Sequence, residues 1–257
     1  MAVSLAATEY GDGKPVAILH GLFGAGRNWA GIARRLATRC RVIVFDLRNH
    51  GESAWADTMD YAEMAEDIRA GMAARGHRSY ALIGHSMGGK VAMAAALADA
   101  AAIDRLIVVD VAPVAYSIPY QAYVQAMRRL DLATLARRGD ADGRLADAIP
   151  DRAERNFLLQ SLLFDGCGAR WQLNLAALGA AMPMLAGFPA LPPAKIYEGP
   201  ALFIAGGKSS YLRPEHEAAV RSRFPNARLA RIDEAGHWVH VERSDAFLSL
   251  AEAFLAC

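Results

Sequence analysis

Unbroken apolar runs recur along the 257-residue chain, at residues 16–19, 42–45, 80–83, 106–109 and 201–204, each closed by turn or cap residues. Apolar runs without polar alternation suit strands covered on both faces of a parallel sheet. Residues 229–232 alternate more, as an edge strand would. Between the runs the period becomes helical. Tyr61, Met64, Ala65, Ile68 and Met72 form one stripe; Phe247, Leu250, Ala251 and Phe254 form another. This alternation predicts an α/β fold, with a mostly parallel central sheet, flanking helices and right-handed crossovers.

The alternation stops between residues 116 and 195. Tyr120, Tyr123, Val124, Met127 and Leu130 share a helical face there, but no core strand stands out. The stretch ends in Gly187-Phe188-Pro189-Ala190-Leu191-Pro192-Pro193, a stiff linker. The expected organisation is a core domain of residues 1–115 and 196–257 with a mostly helical cap, 116–195. The cap would lie over the carboxyl edge of the sheet, where open α/β sheets place ligands.

Composition narrows the function classes. With 54% apolar and 21% charged residues, the chain reads as an ordinary globular protein. A formal charge of +1 gives no field that would recruit nucleic acid or an anionic membrane surface. The cysteines Cys40, Cys167 and Cys257 are far apart and match no zinc or redox spacing. A reducing compartment fits that usage. The first residues lack a signal-peptide pattern, and no apolar run reaches the roughly 18 residues of a bilayer span. A cytoplasmic enzyme without an integral membrane segment is expected; oligomeric state has no sequence signal.

The candidate chemistry centres on Gly84-His85-Ser86-Met87-Gly88. A G-x-S-x-G match alone is weak. Here it follows the apolar run 80–83 and precedes an Ala-rich helical stretch, 90–97, the context of a nucleophile elbow. Such a turn strains the serine backbone and lifts its hydroxyl off the sheet. The flanking glycines leave room for it, and the Met87 amide faces the space where an oxyanion would form.

Three stretches resemble α/β-hydrolase fold esterases: His20-Gly21-Leu22-Phe23-Gly24, Asp46-Leu47-Arg48-Asn49-His50-Gly51-Glu52-Ser53, and Gly84-His85-Ser86-Met87-Gly88-Gly89. Within that superfamily the chain is similar to the small bacterial esterase/thioesterase group related to ABHD11-type hydrolases. Three further stretches carry the narrower likeness: Val109-Asp110-Val111-Ala112-Pro113, Arg170-Trp171-Gln172-Leu173-Asn174 and Gly206-Gly207-Lys208-Ser209-Ser210-Tyr211. It runs from about residue 3 to the C-terminus.

A serine hydroxyl needs a base. The chain order serine, acid, histidine leaves His216, His237 and His240. His237, in Glu234-Ala235-Gly236-His237-Trp238 after the last candidate strand, is the choice. The acid often follows the strand at 201–204, but the loop there, 206–211, holds no carboxylate. Asp110, closing the preceding strand, takes the role; the resembled group also places its acid there. The resemblance implies a supporting hydroxyl in Ser209. Leu22 and Met87 would supply the oxyanion amides, with Phe23 as fallback for Leu22. Asp46, Arg48 and Asn49 would fix loop geometry. Candidate substrate contacts are Phe23, Tyr116, Tyr120, Trp171, Leu178, Met182 and Trp238.

These residues point to hydrolysis of a small-molecule acyl ester or thioester through an acyl-enzyme, with no metal or other cofactor. Dehalogenase and epoxide-hydrolase chemistry would need a carboxylate at position 86. A carbon–carbon bond hydrolase of the same fold and a non-catalytic ligand receptor are the competing readings.

Overall fold

In the computed structural model, which describes residues 2–255 apart from 118, 167 and 193, all five apolar runs become strands of one sheet. The first half of the chain builds β1 (Ala7–Tyr10), β2 (Lys14–Leu19), α1 (Ala30–Leu36), β3 (Cys40–Phe45) and α2 (Tyr61–Ala73). β4 (Tyr80–His85), α3 (Met87–Ala98) and β5 (Ile103–Val109) follow. The intervening segment carries α4 (Tyr120–Arg129), α5 (Arg138–Leu145), α6 (Arg152–Leu158), β6 (Leu162–Asp165), β7 (Gly168–Trp171) and α7 (Leu175–Ala186). The chain then returns to the sheet through β8 (Ala201–Gly206), α8 (Glu217–Arg223), β9 (Ala227–Ile232), α9 (Val239–Glu242) and α10 (Ser244–Leu255).

The strand order is β1-β3-β2-β4-β5-β8-β9. All pairs are parallel except β1 with β3. Alternate residues of each central strand feed two separate cores. Val16, Ile18, Val42, Val44, Ile83 and Ile107 pack against α1 and α10. Ala17, Leu19, Ile43, Phe45, Leu82 and Val108 pack toward α2, α3 and the inserted segment. A strand apolar at every position is therefore what two covered faces require. β9 is an edge strand, and Arg228, Leu229 and Arg231 face solvent there.

Register then aligns the strand ends. Leu19 pairs with Gly84, His85 with Val109, and Val109 with Ile204. The loops after β2, β4, β5 and β8 thus leave from one edge of the sheet. That alignment brings together residues nearly two hundred positions apart.

Three features depart from the sequence reading. β1 was not expected, because Ala-Thr-Glu-Tyr is short and half polar; it is held by backbone pairing to β3 rather than by burial. The inserted segment includes the antiparallel β6–β7 hairpin as well as helices. Cys40 is disulfide-bonded, which the cysteine spacing did not suggest. Cys167, Cys257 and Pro193 at the end of the linker lie outside the described residues. No helix is long and apolar enough to cross a membrane among the described residues.

The segment is tied to the core where the expected loop-bracing residues lie. Asp46 accepts the Gly26 and Glu52 amides at 2.6 and 2.8 Å. The Gly51 amide donates to the Gln172 carbonyl and the Asn174 amide to the Asn49 carbonyl. Arg27 donates to Gln172 Oε1 at 2.7 Å. The Arg170–Asn174 stretch is therefore a seam between β7 and the loop after β3.

Arg48 anchors that loop from below. Its buried guanidinium donates to both Asp67 oxygens, at 2.6 and 2.9 Å, and pairs with Glu63 at 2.8 Å. Removing one partner of such a pair strands the other charge in the core. Asp67→Ala is expected to destabilise the protein by about 3 kcal/mol, the lower end for such losses because Glu63 remains. Urea unfolding would measure it, and the double variant Arg48→Met/Asp67→Leu should recover most of the loss.

Candidate active site

Ser86 sits between β4 and α3 with φ 53° and ψ −118°, a conformation costing on the order of 1–3 kcal/mol for a non-glycine residue. The tightness of the turn sets its neighbours. A Cβ on Gly84 would stand 2.1 Å from the Gly88 carbonyl oxygen, and one on Gly88 2.5 Å from that of His20. The Ser86 amide donates to the Val109 carbonyl at 3.0 Å, so the elbow is pinned to β5.

The three chain-distant residues converge. His237 Nε2 lies 3.0 Å from Ser86 Oγ, and His237 Nδ1 lies 2.7 Å from Asp110 Oδ2. Asp110 is fully buried and also at positive φ, 52°. Its Oδ1 accepts the Gly206 amide at 2.9 Å, while Ser209 Oγ donates to Oδ2. Three donors surrounding one carboxylate offset the cost of burying it. The Tyr211 ring stacks on the imidazole, 4.0 Å between centroids, and the Tyr211 amide donates to Ser209 Oγ. The loop after β8 thus supports both members of the pair without supplying a carboxylate.

His20, His50, His85 and His216 are braces. His20 Nδ1 donates to the Gly21 carbonyl and Nε2 accepts the Leu47 amide. His50 Nδ1 donates to the Arg48 carbonyl, leaving Nε2 to accept the Phe23 amide at 3.2 Å. Burial, with His20 alongside, pushes His50 down to about 3, so it stays neutral and can accept. His85 Nε2 donates to the His237 carbonyl at 2.9 Å. Burial, then the neighbouring His237 and His240, hold His85 well below the usual range. The His240 ring stacks on Trp29, 3.8 Å between centroids, and stands edge-on to His85. His216 caps a turn through the Arg213 amide.

Of the amides considered for an oxyanion, the Phe23 amide is spent on His50. Among the described residues no hydrogen bond takes up the Leu22 or Met87 amide. An imidazole bonded to the hydroxyl can remove its proton, and free amides beside it can hold developing negative charge.

Two small lobes meet at Ser86. One, about 40 Å³, runs past Phe23, Tyr120, Phe157, His237 and Trp238. The other, about 30 Å³, is bounded by Leu22, Met87, Lys90, Tyr116, Tyr120 and Leu185. The first continues into a surface groove of about 730 Å³ that shares Gly21, His85, Phe157 and Trp238 with it. Of the expected substrate contacts, Phe23, Tyr116, Tyr120 and Trp238 lie on these walls. Trp171, Leu178 and Met182 do not; they are buried in the core, because their apolar helical or strand face turns inward to pack. Phe157, Lys90 and Tyr211 were missed. The periodicity that marks a packed face carries no mark for a wall.

Residues 14–244 match the family model of the alpha/beta hydrolase fold. The chain is 34% identical over 248 residues to "Esterase YbfF" of Escherichia coli, covering 95% of this chain and 94% of that protein. It is 34% identical over 249 residues to "sn-1-specific diacylglycerol lipase ABHD11" of Mus musculus, covering 94% and 80% respectively. A solved structure described as "Marine microorganism esterase" superposes with TM-score 0.94 at 31% identity, over 99% of this chain and 100% of that one.

Proposed function

The chain belongs to the alpha/beta hydrolase fold family, and from that premise we propose that it is a serine hydrolase cleaving carboxylic esters through an acyl-enzyme. Thioesters such as acyl-CoA fall within reach of the same steps. The observation that carries this reading is the relay of 3.0 and 2.7 Å from Ser86 through His237 to Asp110. Relatives named as esterases and a lipase support it.

In this mechanism His237 Nε2 takes the Ser86 proton as Oγ attacks the carbonyl. Asp110 holds the Nδ1–H tautomer and stabilises the imidazolium that forms. The Leu22 and Met87 amides receive the oxyanion. His237 then hands its proton to the departing alcohol or thiol, and water repeats the sequence on the acyl-enzyme. No step calls on a metal or organic cofactor.

The leaving group must lie beside the imidazole that protonates it. His237 lines the lobe opening into the groove but not the other lobe. The leaving group therefore occupies the groove side, and the acyl group the other lobe, of about 30 Å³. On p-nitrophenyl esters, kcat/KM is expected to peak at acyl chains of two to four carbons. Octanoate should be at least about tenfold poorer, since overfilling a packed site costs roughly 1–3 kcal/mol. An optimum at long chains would put the acyl group in the groove instead.

A further inference from the structure

Lys90 lies one helical turn after Ser86, and the mechanism above gives it nothing to do. It is 3% exposed. Helical side chains lean toward the helix N-terminus, and residues four apart share a face. Lys90 and Ser86 accordingly line the same small lobe. Its Nζ donates to the Ala186 carbonyl at 3.0 Å and to the Gly187 carbonyl. The Tyr116 and Tyr61 rings stand 4.8 and 5.8 Å away.

An ammonium has three donors, and two are accounted for. Among the described residues no carboxylate pairs with it, whereas the buried Arg48 has two. Desolvation without an offsetting charge pushes Lys90 down to about 7. Buried cations in folded proteins are normally paired, so the missing partner is the feature to explain.

We propose that Lys90 is a specificity-determining residue that receives the terminal carboxylate of a short dicarboxylic acyl group, a half-ester of the malonate or succinate class. The size of the lobe agrees. A space of about 30 Å³ favours a carboxylate on a short stem over a long chain, because overfilling a packed site is destabilising. The tyrosine rings and Leu185 exclude water around the pair, and the anion supplies the charge that the site lacks.

The inference rests on the acyl group lying in the Lys90 lobe during ester hydrolysis. Its test compares ethyl hydrogen succinate with ethyl isocaproate, the neutral isostere, by pH-stat. Wild type is expected to favour the anionic ester about 10- to 100-fold in kcat/KM, the range of a charge-assisted hydrogen bond. Lys90→Met should bring the ratio below one, and Lys90→Arg should retain part of the preference. A loosened cap or a poorly folded variant lowers both rates and leaves their ratio in place. Calorimetric titration with succinate and isocaproate reads the same preference without turnover. Lys90-dependent succinate binding in a protein that hydrolyses neither ester would overturn the esterase reading alone. Hydrolysis of both esters with the same ratio in wild type and Lys90→Met would overturn this inference alone.

Discussion

Ser86→Ala is expected to lower kcat for ester hydrolysis by on the order of 10⁴- to 10⁶-fold, with KM little changed. The nucleophile is lost, and water must attack from a site built for a hydroxyl attached to the chain. The remaining rate would come from the Leu22 and Met87 amides and from substrate binding. The fold should survive, because among the described residues Oγ bonds to His237 alone. Alanine inherits the same strained backbone at φ 53°. A fluorophosphonate should add one covalent label to wild type and none to the variant, read by intact mass. Full activity in Ser86→Ala, with an unchanged label, would remove the acyl-enzyme mechanism.

The sheet was legible because burial on both faces writes itself into composition. Residues 81–83 and 106–109 are apolar at every position, as strands covered on both faces require. The positions of Ser86 and His237 were legible for a different reason. Ser86 directly follows a strand and His237 lies in the loop after the last one, and parallel register carries strand ends to one edge whatever the intervening length. Asp110 was harder, since the usual acid loop had first to be found without a carboxylate. The walls were not legible. Phe157 and Leu178 both belong to apolar helical faces, yet only Phe157 reaches the lobe. Which one does depends on how the inserted helices lie across the sheet, and periodicity says nothing about that. Lys90 was hidden for the converse reason. A lysine in an Ala-rich helix reads as a solvated residue, and only burial beneath α7 shows that it has no access to water.

Asp110→Asn is expected to lower kcat by about 10⁴-fold while leaving KM and the fold nearly intact. The carboxylate faces two ways: Oδ1 accepts the Gly206 amide, and Oδ2 accepts from both His237 Nδ1 and Ser209. An asparagine keeping its oxygen toward Gly206 turns its NH₂ toward His237. Nδ1 must then accept rather than donate, which leaves the proton on Nε2, facing Ser86, where it blocks base catalysis. Ser209→Ala removes one donor to Oδ2 but leaves the His237–Asp110 bond, so its loss should be smaller, about 10- to 100-fold. Steady-state kinetics on the two variants, with thermal unfolding to verify the fold, separates the roles. If Asp110→Asn keeps its rate while Ser209→Ala loses it, the imidazole is oriented from the loop after β8, and the acid does not lie at the end of β5.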